Sequence, residues 1–157
     1  MRRPDLVRKV ALVTASYTPD GLIPGLLEGI EQLTPEALAG SPFEAEYMRT
    51  APRPEDWPNL VRKVRQMDAD VKAYPPEAIA GIEAPVLLVI GDSDIVRPEH
   101  AVEMYRLLRS DAPWDGMTLS RSQLAVLPGT SHLSIMNRAD LLLAIVPRFL
   151  EVTEPAS

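Results

Sequence analysis

The sequence predicts an α/β domain, in which the strands of a mostly parallel sheet are flanked by helices and accompanied by an α-helical insert. Downstream of Ile82, strand-like and helix-like segments alternate, which is typical of parallel α/β sheets. Val86–Ile90 is a run of five consecutive apolar residues, as a strand covered on both faces requires. Residues 17–80 show helical periodicity and no strand-like segment, so this stretch is predicted to be the insert.

The individual elements are justified in chain order. Strand-forming residues predict a first strand at Val10–Ala15, directly after a segment that indicates the end of a helix. Within the insert, residues 59–71 have apolar side chains at spacings of three and four, which predicts an amphipathic helix. The later elements are a strand at Val86–Ile90, a helix opened by Pro98, a strand at Leu124–Leu127 closed by Pro128-Gly129, and a final helix from about Asn137 to Leu150.

Length and composition limit the classes of function. The 157 residues suffice for one domain, and 46% hydrophobic and 24% charged residues are ordinary values for a globular protein. The net charge of −6 argues against nucleic acid or an anionic membrane surface as a partner. The absence of cysteine excludes disulfides, thiolate nucleophiles and zinc–thiolate sites. Because Leu141–Val146 is too short to span a membrane and the start of the chain lacks a signal-peptide pattern, we expect a cytoplasmic protein.

Chemically useful side chains follow two of the predicted strands. The strand at Val86–Ile90 runs into Asp92-Ser93-Asp94, and the strand at Leu124–Leu127 is followed by His132. Ligands of open α/β sheets bind beyond the carboxyl ends of the strands. If these strands are neighbours, a carboxylate and an imidazole meet at one edge of the sheet.

These segments resemble the α/β-hydrolase superfamily. LLVIGDSDIVRPEHAVEM is similar to the family's strand followed by Gly-x-x-Asp, a hydrophobic pair and proline, and LAVLPGTSHL to its strand followed by glycine and His-Leu. Residues 6–16 resemble a helix end and the sixth strand, and the insert lies where the family has its cap. The resemblance covers nearly the whole chain. It implies a partial α/β-hydrolase fold, with residues 1–16 and 81–157 as the carboxyl-terminal part of the core and residues 17–80 as a cap or lid.

The resemblance also implies an activity and two residues that serve it. Asp94 would be the acid of a Ser-Asp-His triad and His132 its base. Asp92 is then expected to be a turn residue that caps its own loop. The implied reaction is hydrolysis of an ester or related bond in a small-molecule, apolar substrate, and it needs no cofactor.

One part of the family pattern is missing from the sequence. The family places its nucleophile in a Gly-x-Ser-x-Gly elbow on an earlier strand, and none of the nine serines here is flanked by glycines in that way. We therefore expect the chain to be truncated relative to the family, with the nucleophile outside it. A homo-oligomer or a complementing amino-terminal half would then complete the site.

Four apolar side chains are predicted to line a substrate pocket. Two come shortly after the candidate acid and base, and two belong to the insert, since a cap supplies apolar walls. For the two in the insert, ordinary core packing is an equally good explanation. The four are Val96, Leu133, Met48 and Trp57. By contrast, His100 is predicted to be a solvated residue in the first turn of a helix.

Four other interpretations of the sequence compete with a hydrolase. An inactive hydrolase fragment could act as an oligomerising or interaction module, because a three-stranded sheet leaves an exposed edge. Residues 92–96 fit the Asp-x-Asp-x-Val motif of haloacid-dehalogenase-type phosphatases, but the lysines, at positions 9, 63 and 72, all lie upstream of it. A calcium loop is disfavoured by Val96 and Arg97, where an oxygen ligand and glycine belong. Two histidines without cysteine give no zinc pattern, so we expect no metal site.

Overall fold

The computed structural model describes residues 3–109 and 112–151. These residues form two compact units, one from residues 3–23 and 73–151 and the other from Pro24–Lys72. The second unit is narrower than the predicted insert because the flanking residues pack in the first unit. Tyr17 and Ile79, for example, are buried in one apolar cluster together with strand residues.

The first unit is built on a parallel sheet whose strand order, among the described residues, is β1-β2-β3. The strands are β1 at Val10–Val13, β2 at Val86–Ser93 and β3 at Gln123–Ser131. Strand β2 lies in the centre, and its first six residues are buried, as the apolar run predicts. The two strands that lead to Asp94 and His132 are therefore adjacent, as expected.

Both site-bearing strands extend further than the sequence predicts. The apolar runs end at Ile90 and Leu127, yet pairing continues past an irregularity to the register Ser93↔Ser131. Hydrogen bonds from the backbone of β3 to the Asp92 side chain bridge this irregular part. The polar extensions place the candidate site at the ends of paired strands.

Helices cover both faces of the sheet. In chain order, the α-helices are α1 at Leu26–Glu31, α2 at Pro42–Thr50, α3 at Trp57–Ala69, α4 at Pro76–Ala80, α5 at Pro98–Leu108 and α6 at Ala139–Glu151. Val86 and Leu88 of β2 pack with Met104 and Leu108 of α5. The alternate residues of β2 pack on the other face with Phe149 and its apolar neighbours in α6. Each buried aliphatic side chain contributes about 1.5–3 kcal/mol through removal from water.

The second unit contains α1, α2 and α3. Ser41 caps α2, since its hydroxyl oxygen accepts from the Glu44 amide at 3.3 Å. Trp57 and Val61 are the buried residues of α3. The amphipathic helix predicted at residues 59–71 is thus observed, shifted by two residues towards the amino terminus because it begins directly after the short helical turn Pro54–Asp56.

In the described parts of the chain, no helix combines the length and the apolar character that crossing a membrane requires.

Candidate active site

The carboxyl ends of β2 and β3 bring an acid and a histidine together. Asp94 directly follows β2, and His132 directly follows β3. The Nδ1 atom of His132 lies 2.9 Å from Oδ1 of Asp94, which is hydrogen-bonding distance. The two residues are 38 positions apart, and they meet because adjacent parallel strands end at the same edge of the sheet.

The Asp94 carboxylate is held by its own loop. Its side chain is 0% exposed. The Gly91 amide donates to Oδ2 and the Val96 amide to Oδ1, each at 3.2 Å. With His132, three donors satisfy this buried carboxylate, which offsets the cost of removing its charge from water. The acid is therefore fixed in position by backbone groups as well as by the histidine.

His132 presents its other nitrogen away from the acid. Its side chain is 33% exposed, and within residues 3–109 and 112–151 its Nε2 atom has no hydrogen-bond partner. A hydrogen bond from Nδ1–H to a carboxylate leaves Nε2 as the basic nitrogen. The pair is arranged to accept a proton at Nε2 while the carboxylate stabilises the imidazolium that results.

Asp92 is predicted to cap its own loop, but within that loop its side chain accepts only from the Ser93 hydroxyl, at 3.3 Å, and its backbone partners lie on the neighbouring strand. Its carboxylate accepts from the amides of Gly129 at 2.8 Å and Thr130 at 3.0 Å, both in the last part of β3. These two backbone donors lower the pKa of Asp92. The turn chemistry of the Asp-Ser-Asp stretch was identified, but the partner lies on the neighbouring strand, which local sequence does not reveal.

The loop that carries His132 has further anchors. The Arg138 Nη1 atom donates to the Pro128 carbonyl oxygen at 3.2 Å and to the Thr130 hydroxyl at 2.9 Å. The Ser131 amide, directly before the histidine, donates at 2.8 Å to the hydroxyl of Ser134, which lies two residues after it. Arg138 was not identified from the sequence, because an arginine between two helical segments gives no signal for such a contact.

His100 is buried, so its prediction as a solvated residue is wrong. Only 6% of it is exposed, and its ring stacks on Tyr17 with the centroids 4.4 Å apart. Its Nε2 atom lies 3.0 Å from the Ser16 hydroxyl, and its Nδ1 lies 3.9 Å from a carboxylate oxygen of Glu103. The Tyr17 hydroxyl donates to the other Glu103 oxygen at 2.6 Å. The Ser16 hydroxyl itself donates to the carbonyl oxygen of Thr18, so this cluster links the segment after β1 to α5.

A signal for the burial of His100 was present in the sequence. His100, Met104 and Leu108 recur at spacings of four and therefore lie on one face of α5. All three are buried. The position in the first turn after Pro98 favoured exposure, and the helical periodicity was the better guide.

The four predicted pocket residues differ in their surroundings. Val96 is buried, and the backbone bridge Leu22↔Val96 holds its loop, whereas Leu133 is exposed beside the candidate base. In the second unit, Met48 is exposed, and Trp57 is buried near Tyr47 with an indole Nε1 that has no partner among the described residues. Their role in a substrate pocket stays a prediction.

Two cavities of the first unit lie away from the acid–histidine pair. One, of about 1070 Å³, lies where β1 and β2 begin, and it is lined by Lys9 and Pro85 among others. The other, of about 330 Å³, is lined by Tyr17, His100 and Glu103. Neither cavity is lined by the candidate acid or base.

The two acids of the Asp-x-Asp motif do not converge on one point. Asp92 binds the amides of β3, and Asp94 binds His132 and the amides of its own loop. Among the residues that the structure describes, no group of three or more histidines and acids is placed to hold a metal ion.

The chain matches no protein-family profile and no curated protein. Solved structures do resemble it. NosK from Streptomyces actuosus is 21% identical, with a TM-score of 0.64 over 94% of this chain and 60% of NosK. MGS-M2, an α/β-hydrolase from a Medee basin deep-sea metagenome library, is 12% identical, with a TM-score of 0.63 over 98% of this chain and 60% of that enzyme.

A third solved structure is 2-hydroxy-6-oxo-6-phenylhexa-2,4-dienoate hydrolase from a Rhodococcus strain. It is 18% identical, with a TM-score of 0.62 over 96% of this chain and 58% of that enzyme. The chain thus spans about 60% of the length of the solved structures that it matches. The parallel sheet, the helices on both of its faces and these likenesses confirm that the chain has, in part, the α/β-hydrolase fold.

Proposed function

We propose that the chain is part of a hydrolase that cleaves an ester or related bond in a small apolar substrate, with Asp94 as the acid and His132 as the base of a triad. The observation that supports this most directly is the 2.9 Å contact between His132 Nδ1 and the buried Asp94 carboxylate. The Nε2 of His132, which accepts no hydrogen bond from the described residues, is the nitrogen that would act on the nucleophile.

The proton path follows from this geometry. His132 Nε2 takes the proton of a nucleophilic hydroxyl as its oxygen attacks the substrate carbonyl carbon. The same proton then passes to the leaving-group oxygen when the bond to the carbonyl carbon breaks. In the second half, Nε2 takes a proton from water as the water oxygen attacks the carbonyl carbon of the acyl-enzyme. It gives that proton to the nucleophile's oxygen when the bond between that oxygen and the carbonyl carbon breaks, so the carboxylic acid leaves after the alcohol and the histidine is regenerated. Asp94 holds the ring and stabilises the imidazolium in both halves.

The bond class is supported by the structural neighbours. Among them are a thermophilic esterase with a TM-score of 0.55 and an enol-lactonase with a TM-score of 0.51. A meta-cleavage product hydrolase matches with a TM-score of 0.55. These three structures are 17–20% identical to this chain and act on esters or related bonds by their names, which supports the proposed bond class.

The nucleophile is proposed to come from a polypeptide segment outside these 157 residues, because the sequence contains no Gly-x-Ser-x-Gly elbow. A complementing amino-terminal half or a second copy of the chain would supply it, in the cytoplasm and without a cofactor. Residues 17–80 would form the cap of this hydrolase, as the sequence resemblance implies.

Ester hydrolysis tests this function. The rate on a short-chain p-nitrophenyl ester is measured for the chain alone and for the complex isolated with it from its source cells. We expect activity in the complex, and a fall in kcat/KM of about 10³-fold or more in His132→Ala and Asp94→Asn. Asp115→Asn changes an exposed carboxylate that hydrogen-bonds within its own turn, and it is the matched control.

The outcomes separate the parts of the proposal. No hydrolysis by either sample, or hydrolysis that survives His132→Ala, would contradict the acid–base assignment. Hydrolysis by the chain alone that is lost in His132→Ala would support the pair and contradict an external nucleophile.

A second candidate function is an interaction module, and the edge of the sheet supports it. Strand β1 pairs with β2 on one side, and its four residues are all partly exposed. The amides of Val10 and Thr14 donate to the carbonyl oxygens of Pro85 and Val89, on the β2 side. Because successive backbone N–H groups of a strand point in opposite directions, the N–H of Ala11 points to the open edge. An open edge of this kind can pair with another strand.

Sedimentation of the chain and of Ala11→Pro tests this candidate. Proline removes the outward donor, so an edge-paired oligomer should become a monomer while circular dichroism stays unchanged. A monomer without the substitution, at concentrations up to the solubility limit, would contradict the interaction module. If that monomer also lacks activity in every sample, the hydrolase proposal fails with it.

A further inference from the structure

We propose that Asp92 is a positioning residue for His132: its carboxylate clamps the backbone two and three residues before the histidine and thereby sets the imidazole against Asp94. The functional part of this inference rests on the proposed hydrolase function, and the geometric part does not. Within the described residues, the Asp92 side chain hydrogen-bonds to Ser93, Gly129 and Thr130 and not to His132, so it would act through the loop.

The clamp consists of two short hydrogen bonds to one carboxylate. The Gly129 amide lies 2.8 Å from Oδ2 and the Thr130 amide 3.0 Å from Oδ1, so each carboxylate oxygen accepts one backbone donor, and Oδ1 also accepts from the Ser93 hydroxyl at 3.3 Å. Charge-assisted bonds to a carboxylate are stronger than bonds between neutral groups. The lowered pKa of Asp92 agrees with this, because both amides favour the ionised form.

The clamped segment needs such support. Gly129 has a φ of +57°, a left-handed conformation that interrupts the regular strand. The β2–β3 register also shifts between Gly91 and Ser93, so ordinary ladder bonds are interrupted at this point. The Asp92 carboxylate takes up the two donors that the irregularity releases.

The clamp is coupled to the histidine through rigid packing. Thr130 is 0% exposed, and its hydroxyl donates to Pro128 and accepts from Arg138. Residue 131, which follows, is bonded to Ser134 on the far side. With both flanks of residue 132 held, the imidazole has little freedom except rotation about its own side-chain bonds. Loss of the clamp should therefore loosen the Nδ1–Asp94 contact.

The alternative is that Asp92 only stabilises the strand ends, as Asp115 stabilises its turn. Asp115 provides a matched control because its carboxylate also accepts two backbone amides, those of Met117 at 2.9 Å and Thr118 at 2.7 Å. That turn does not lead to His132. Asp92→Ala and Asp115→Ala thus remove equivalent contacts in different places.

The test uses nuclear magnetic resonance on the whole chain with two readouts that need no turnover. The first is the imidazole Nδ1–H resonance of His132, which the bond to Asp94 protects from exchange with water. The second is hydrogen exchange at the amides of residues 129–131. Asp92→Ala should broaden or remove the Nδ1–H signal and accelerate exchange by about tenfold or more. Asp92→Asn, which keeps one acceptor oxygen, should restore part of both effects.

Each outcome decides the matter. An unchanged Nδ1–H resonance in Asp92→Ala, with faster exchange at Thr130 alone, would overturn the positioning role. So would an equal change in Asp115→Ala. If Asp92→Ala does not fold, the same readouts in Asp92→Asn decide. Should ester hydrolysis be absent while Asp92→Ala still loosens His132, the proposed function fails and the positioning role stands.

Discussion

Gly91 of β2 lies against the backbone of Thr130 in β3, so closely that a Cβ atom on Gly91 would overlap the Thr130 carbonyl oxygen. The obstacle is backbone rather than the end of a flexible side chain. Thr130 is fully buried and has no room to move away. Because Gly91 lies just before Asp92 and Asp94, this contact sets how closely the acid and histidine loops approach each other.

Gly91→Ala should therefore destabilise the protein and disturb the site. We expect a loss of about 3 kcal/mol in the free energy of unfolding, since the new methyl group must separate β2 from β3. The Gly91 amide also donates to Asp94, so the same substitution should shift the Nδ1–H resonance of His132. Urea denaturation measures the first effect and nuclear magnetic resonance the second.

Gly29→Ala is the matched control for that substitution. Gly29 lies in α1, and a Cβ atom there meets nothing within 4 Å. Alanine favours a helix over glycine, so a gain of about 0.5–1 kcal/mol is expected. A similar loss in both variants would mean that the contact between Gly91 and Thr130 does not determine the cost.

Asp94→Ala should destabilise the protein more than His132→Ala does. The buried carboxylate accepts from the amides of Gly91 and Val96, so its removal leaves two backbone donors unsatisfied, at a cost of about 3 kcal/mol. His132→Ala leaves those bonds in place and should cost about 1 kcal/mol. Urea denaturation of both variants tests the order, and an equal or reversed order would contradict the backbone role of Asp94.

Much of the sheet was predictable because the determining signals are local. The apolar run Val86–Ile90 predicts a buried central strand, and β2 is that strand. The meeting of Asp94 and His132 follows from one further assumption, that successive parallel strands are neighbours. The apolar pattern of the strands and the rule that successive parallel strands are adjacent are therefore enough to locate the acid–histidine pair.

The supporting contacts were not predictable because they join residues that are distant in the chain. Asp92 and Thr130 are 38 positions apart, and Ser16 and His100 are 84 positions apart. Each depends on the register of β2 against β3 or on the packing of α5 near the end of β1. Polar side chains without periodicity give no sign of which distant backbone group they will bind.

The phenol of Tyr17 should lose its proton at an unusually high pH, and Glu103 should be the main cause. The hydrogen bond to Glu103 and burial raise the pKa of Tyr17 to about 12. The neutral phenol is thus favoured in the folded state. This contribution to stability is complete below the ordinary pKa of about 10 and is lost as pH rises through the folded value. In an ultraviolet titration, Tyr17→Phe should abolish the late phenolate transition, and Glu103→Gln should move it to lower pH. If Tyr47→Phe abolishes it instead, the assignment is wrong.

His100 should make the protein less stable in mild acid. Burial lowers the pKa of His100, Arg97 adds to the effect, and Glu103 and Asp20 oppose it. The unfolded chain therefore binds a proton that the folded chain does not. Unfolding free energy should be constant above the ordinary pKa of about 6.5 and should fall as pH drops below it. Urea denaturation between about pH 5.5 and 7.5 measures this slope.

Because the chain has two histidines, each is replaced separately in that experiment. His100→Gln should flatten the dependence of unfolding free energy on pH, and His132→Gln should retain it. The Tyr17 amide nitrogen lies 3.4 Å from His100 Nε2, so a positive charge on the ring should repel the amide N–H dipole and loosen the segment after β1 in acid. Hydrogen exchange at the Tyr17 amide should then accelerate below the same pH in the wild-type chain. A slope that disappears in His132→Gln and persists in His100→Gln would contradict this origin of the acid sensitivity.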